Sequence, residues 1–403
     1  MVGRAFWRVW AGESVSGVGD TLFMVAFAWT VLSATGSAGV LAGTLIAGAV
    51  PRGILLLAGG AVVDRVSART ALLGAHLVRG TAVGLLALAV ASGAPATGLF
   101  VAVAVAVVVG AADAFAGPAG VAVLPALVAP AQLPRANALV ATGEQVAFAA
   151  GPLLAGALTA LAGPAAALAV DAGTFAVAAV TVLAAPAVRS ASDSPLWTDI
   201  GAGLRWAART AEVRAVLVVV AAATLSYAGL FGVGLPALAR SAGGALGLGV
   251  LLSAWGIGQL VGSVAAGITG LPRRWGRLIG LMSLAEAAAF TTIGLTRQVL
   301  VAAVLLAVLG IGVAYAQDVA LPTWLQTRTP PDRLGRTSSL LQLARTALEP
   351  VSLAGTGLLA AVDVRLAFAV AAVPVLAAGG WLLATPATRA LGTDTPAGLT
   401  PRR

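Results

Sequence analysis

The sequence predicts an all-α membrane protein, with twelve transmembrane helices in two pseudo-symmetric six-helix bundles. Three observations predict it. Apolar residues make up 59 % of the 403 residues and charged residues only 10 %, where a soluble domain carries about a quarter. The apolar residues gather in twelve runs, each long enough to cross a hydrocarbon core of ~30 Å. The two halves of the chain also repeat each other. Leu133, Pro134 and Arg135 recur as Leu334, Gly335 and Arg336, Pro130 recurs as Pro331, and Gly156 recurs as Gly357, all at a shift of 201 residues.

The runs cover residues 11–33, 38–62, 70–92, 97–117, 137–161, 165–185, 213–236, 246–270, 278–296, 299–320, 338–361 and 365–385. The first is too long for a signal-peptide core and contains Asp20, so it is read as a retained span. The expected organisation is a first bundle over 1–185, a linker over 186–212, a second bundle over 213–385 and a disordered cytoplasmic tail over 386–403. In the linker, Leu196, Trp197, Ile200 and Leu204 recur at helical spacing opposite Asp199, Arg205 and Arg209. That pattern suits an amphipathic helix on the membrane surface or a solvated connecting helix.

The net charge of +9 comes entirely from arginine among the basic residues. Eighteen arginines fall in the N-terminal segment, the alternate loops and the tail, whereas the opposite loops hold only Arg240, Arg297 and Arg365. This asymmetry predicts a cytoplasmic N-terminus and C-terminus in a multi-pass plasma-membrane protein, and it accounts for the charge without a nucleic-acid partner. There is no cysteine and one histidine, His76. Disulfides, thiolate metal sites and histidine clusters are therefore excluded. No phosphate loop or Ser–His constellation is present, so neither an enzyme nor a cofactor is expected.

Charge inside a membrane is costly and needs a reason. From a rise of ~1.5 Å per helical residue, Asp20, Arg52 and Arg79 all lie roughly 13–15 Å from the inner edge. They form a coupled site or a permanent ion pair. Glu13 shares the helix face of Asp20, and Met24 and Phe27 continue that stripe. Glu144 and Arg345 occupy equivalent positions of the two halves. Glu349 follows Arg345 by four residues, so the two can pair within their helix or each with another helix. Asp171, Glu286 and His76 are read as structural. Five deep acids stand against three deep bases (Arg52, Arg79 and Arg345). Acids left without a base in an apolar setting can exchange protons. Polar groups available to a cavity include Gln145, Tyr227, Gln259, Tyr315 and Gln317, with aromatic residues to supply apolar walls.

Gly60, Asp64, Arg65 and Arg69 lie between the second and third runs, at the spacing Gly-x-x-x-Asp-Arg-x-x-x-Arg. This resembles the loop signature of the major facilitator superfamily, with Ser67 and Ala68 where the signature has Gly and Arg. The first half is similar to the drug–proton antiporter branch with the macrolide efflux pumps and the enterobactin exporter. The likeness rests on Trp10 and Gly12, Pro51 and Arg52, Leu77 and Arg79, Leu124 and Pro125, and Asn137. Gly151, Pro152 and Gly156 resemble that branch's antiporter motif, with Ala155 for one glycine. The resemblance implies a monomeric secondary transporter that exports small amphiphilic molecules (a drug, macrolide, siderophore or self-made metabolite) in exchange for protons. It makes Asp20, Glu144, Arg52 and Arg79 the coupling candidates. It also implies a cytoplasmic latch in which Asp64 meets the start of the eleventh span near Thr337 and Asp113 pairs with Arg65 or Arg69. An uptake symporter of the same fold and a non-transporting receptor are the alternatives.

Overall fold

The structure, a computed structural model, describes residues 3–187, 211–270, 274–296, 298–319 and 331–385. Among these, the side chains of 57–62, 64, 95–96, 211–212, 317–319 and 331–340 lie outside the described set. All twelve expected spans are helices. They are α1 (Arg4–Thr35), α2 (Ala38–Val66), α3 (Ala68–Ala91), α4 (Pro95–Leu127), α5 (Leu133–Ala162) and α6 (Pro164–Val182), then α7 (Ala211–Gly229), α8 (Gly244–Thr269), α9 (Trp275–Leu295), α10 (Val299–Val313), α11 (Pro331–Val362) and α12 (Val364–Ala384). Eleven are long and apolar enough to cross a membrane. The twelfth, α11, carries Arg345, Glu349 and an internal Pro350. Two helices are locally under-wound. α7 runs on through a π-helical turn (Leu230–Gly234) into Leu235–Ser241, and α10 runs into a second such turn (Ala314–Val319). The expected linker helix lies largely, and the tail entirely, outside the described residues.

Sequence explains the helix ends. Gly36 closes α1 at φ 67°, a left-handed conformation that glycine adopts without penalty. Ser67 separates α2 from α3 at φ 119°, the one non-glycine among the described residues with positive φ. It stands where the family signature has glycine. Its hydroxyl accepts the Thr70 amide at 3.2 Å and so caps α3. Cap and strain oppose each other at this position. Ser67→Ala is expected to cost about 1 kcal/mol through loss of the cap. Ser67→Gly loses the cap but relieves roughly 1 kcal/mol of strain, and is expected to be near neutral. Unfolding temperatures of the purified variants check this; Ser67→Gly melting below Ser67→Ala would contradict it.

In the first half α1 packs on α5 and α6, α2 on α4, and α3 on α4 and α6. In the second, α7 packs on α11 and α12, α8 on α10, and α9 on α12. The halves meet along two seams, α5 against α8 and α2 against α11. Both seams close toward the arginine-poor end, and small residues make the closure possible. A Cβ on Gly156 of α5 would stand 2.6 Å from the Ala245 carbonyl oxygen and 3.0 Å from the Gly249 Cα of α8. A Cβ on Gly357 of α11 would strike the Ala42 side chain of α2. The two glycines related by the internal repeat therefore perform the same service at the two seams. At the same end Arg240 donates to the Gly36 carbonyl of the other half.

Candidate functional site

Each half holds a concavity toward the arginine-rich end. The first, about 390 Å³, lies among α1, α3, α4 and α5 and is lined by Glu13, Asp20, His76, Arg79 and Glu144. Arg79 is its centre. Its Nη2 donates to Asp20 Oδ1, and its Nε lies 3.1 Å from Asp113 Oδ1. Its guanidinium carbon stands 4.3 Å from the ring centroid of Phe175. The Arg79 side chain is 11 % exposed and that of Asp20 is 46 %, so the base is held in the protein while its partner acid faces the cavity. A guanidinium suits this place because it is planar, donates in several directions and stacks on an aromatic ring.

Behind this pair Asp171 of α6 is fully buried, and its Oδ1 accepts from the Thr174 hydroxyl at 3.3 Å. It reaches the cluster because Gly19 of α1 lies against Asp171 and Thr174, with no room for a Cβ. Asp171 is therefore a neighbour of the charged centre rather than a remote support. His76 is buried, as expected, and its Nε2 lies 2.8 Å from Glu13 Oε1. Glu286 is buried in α9.

Several expected pairings are corrected. Asp113 meets Arg79, not Arg65 or Arg69. The span containing it continues ten residues beyond its expected end, to Leu127, which places Asp113 well inside the helix. Arg65 and Arg69 make no ion pair among the described residues. The backbone of Gly60 and Asp64 belongs to α2, but the side chain of Asp64, like that of Thr337, lies outside the described residues. Arg52 does not join Asp20. It bonds Glu349 across the α2–α11 seam, which also decides against an internal Arg345–Glu349 pair.

The second concavity, also about 390 Å³, lies among α7, α8, α10 and α11, and Tyr227, Phe231, Trp255, Gln259, Arg345 and Glu349 line it. The rings of Tyr227, Phe231 and Trp255 stand 5.0–5.7 Å apart and form one wall. Other expected path residues lie elsewhere. Phe27 is buried in the first half, against Phe23. Met24 packs against the core at the junction of the halves, and Gln145 lines neither concavity. Tyr315 donates to the Gly270 carbonyl at 3.1 Å, and the Gln317 side chain lies outside the described residues. Sequence reading missed Phe175 and the placement of Asp171. Gly12 and Gly19, seven apart on one helix face, carry a usable signal for Asp171, because such a pair marks a close helix approach, whereas Phe175 lies against Gly80 of α3.

Pro152 and its neighbours shape the α5–α8 seam. Proline has no amide hydrogen, so the Phe148 carbonyl loses its helical donor, and Gly256 of α8 packs directly on that carbonyl. The Leu153 amide donates instead to Ser253 of α8 at 2.9 Å. Gly151 lies against Thr21 of α1. The motif residues thus form a three-helix contact among α1, α5 and α8.

A sequence model described as the Major Facilitator Superfamily matches residues 9–348. The chain belongs to this superfamily. It is accordingly a multi-pass membrane transporter rather than an enzyme, with a lipid bilayer and a small-molecule substrate as its partners. Solved structures of the superfamily's fold align over nearly the whole chain. A bacterial homologue of the iron transporter ferroportin, in an inward-facing state, aligns with a TM-score of 0.74 at 17 % identity, covering 94 % of this chain and 98 % of the other. The nucleoside transporter NupG gives 0.71 at 10 %, covering 95 % and 99 %. The peptide transporter POT gives 0.73 at 15 %, covering 97 % and 96 %. At these identities the likeness establishes the superfamily's fold and no cargo. No curated protein sequence matches the chain.

Proposed function

We propose that this superfamily member is a proton-coupled exporter of small amphiphilic molecules that works by alternating access. The observation that carries the reading is the Arg79 centre. Asp20 and Asp113 share one guanidinium, and a third carboxyl, Asp171, is buried beside them. Buried charges must be paired or neutralised, so a centre in which three acids gather around Arg79 can take up or release a proton as the halves rearrange. Asp20 and Glu144 face the cavity and are its routes to water. Given the arginine asymmetry of the loops, the sealed seams lie outside and the concavities face the cytoplasm. That is the state in which an exporter loads. The antiporter-like motif at the α5–α8 seam supports the direction.

A susceptibility panel in a pump-deficient host finds a cargo. Uptake of that cargo into inverted vesicles then tests the reading. Accumulation is expected with the wild type, and collapse of the proton gradient or Asp20→Asn is expected to abolish it. Accumulation that survives gradient collapse would remove proton coupling, and accumulation confined to right-side-out vesicles would reverse the direction.

A further inference from the structure

Among the described residues, the charges at the α2–α11 seam do not balance. Arg52 and Arg345 are both within reach of a single carboxylate, Glu349. It bonds Arg52 of the opposite half and lies one helical turn from Arg345 on the same face. While Glu349 holds Arg52, Arg345 has no acid partner among the described residues. Glu144, at the equivalent position of the first half, belongs to the other seam. It sits on α5, which packs on α1, α6 and α8, whereas α11 packs on α2, α7 and α12. Arg345 is exposed in the second concavity and makes no ion pair among the described residues. While the concavity is open, water solvates this guanidinium. Once closure of the halves excludes water, an uncompensated guanidinium becomes expensive. An anion carried in by the cargo removes that penalty.

The surroundings describe the rest of the cargo. Tyr227, Phe231 and Trp255 line the concavity beside Arg345, and Gln259 adds a polar amide. We infer that the second concavity selects an organic anion, with a flat apolar body on the aromatic wall and a carboxylate on the Arg345 fork. The guanidinium matches a carboxylate with two parallel hydrogen bonds, and an aromatic wall with one fixed charge is a usual form of small-molecule site. This rests on the reading that the concavities form the cargo path, and it adds the sign of the cargo's charge.

The test is equilibrium binding to the purified full chain in nanodiscs, with three probes of one shape: 1-naphthoate, 1-naphthylmethylamine and 1-naphthylmethanol. Naphthoate is expected to bind roughly tenfold more tightly than the other two, the scale of one charge-assisted contact. Arg345→Gln is expected to erase that preference and Arg345→Lys to keep part of it. Glu349→Gln leaves both arginines free and is expected to hold or strengthen naphthoate binding. The inference is overturned if the amine or alcohol binds as well as naphthoate, if no naphthoate binding is measurable, if Arg345→Gln keeps the preference, or if Glu349→Gln weakens naphthoate tenfold. Binding needs no gradient, so a failure of proton-driven export would leave this result standing, and the reverse also holds.

Discussion

Gly156→Leu is expected to insert and fold but to lose the closed outer seam, and with it transport. The new side chain has no space to enter, because backbone of α8 stands 2.6–3.0 Å from where its Cβ would begin. Backbone cannot yield as a flexible side chain can. Overpacking of this kind costs about 1–3 kcal/mol, and here the cost falls on the sealed state alone. A coupling of that size shifts a two-state equilibrium by about 5- to 150-fold. The chain contains no cysteine, so single cysteines can be introduced without background. A cysteine at Ala245 is expected to be protected from membrane-impermeant maleimide in the otherwise unaltered chain and to be labelled in Gly156→Leu. Gly357→Leu is expected to do the same at the other seam. Unchanged protection in both would show that these glycines do not hold the seal.

Arg79→Lys is expected to be nearly as damaging as Arg79→Gln. Three contacts converge on the guanidinium: Asp20 at Nη2, Asp113 at Nε and the face of Phe175. An ammonium is a single point charge and cannot meet all three directions. Removing the base leaves clustered acids in an apolar setting. Breaking a buried pair costs about 3–5 kcal/mol, and the lower end applies because Asp20 is nearly half exposed. The measurement is the unfolding temperature together with gradient-driven flux. A lysine variant with full flux would show that charge alone suffices at this position.

The fold was legible in the sequence because lipid imposes long apolar runs, and all twelve runs are helical, although the fourth continues ten residues past its expected end. The internal repeat was legible as well, and it foretold the matching roles of Gly156 and Gly357. Pairing inside the bundle was not. Helical periodicity tells which residues share a face but not which neighbour that face meets. Arg52 at the depth of Asp20 therefore looked like its partner, although α2 turns it toward α11. Asp113 was misplaced for a different reason. The expected run stopped at residue 117, yet the helix continues through Pro118 and Pro125, as helices do when neighbouring helices and local adjustments satisfy the freed carbonyls. The Asp171 neighbourhood depended on the absence of side chains on α1, which carries little weight in a pattern of apolar and polar residues.

The under-wound turns of α7 and α10 set the two halves apart. Both lie in helices that border the aromatic concavity, whereas α1 and α4, which border the charged one, hold no π-helical turn. Single π-helical turns of this sort are rare inside α-helices and are found frequently at functional sites. The irregular turns of the described C-terminal half thus lie at the walls of its concavity. The described N-terminal half, which holds the ionic centre, has no such turn.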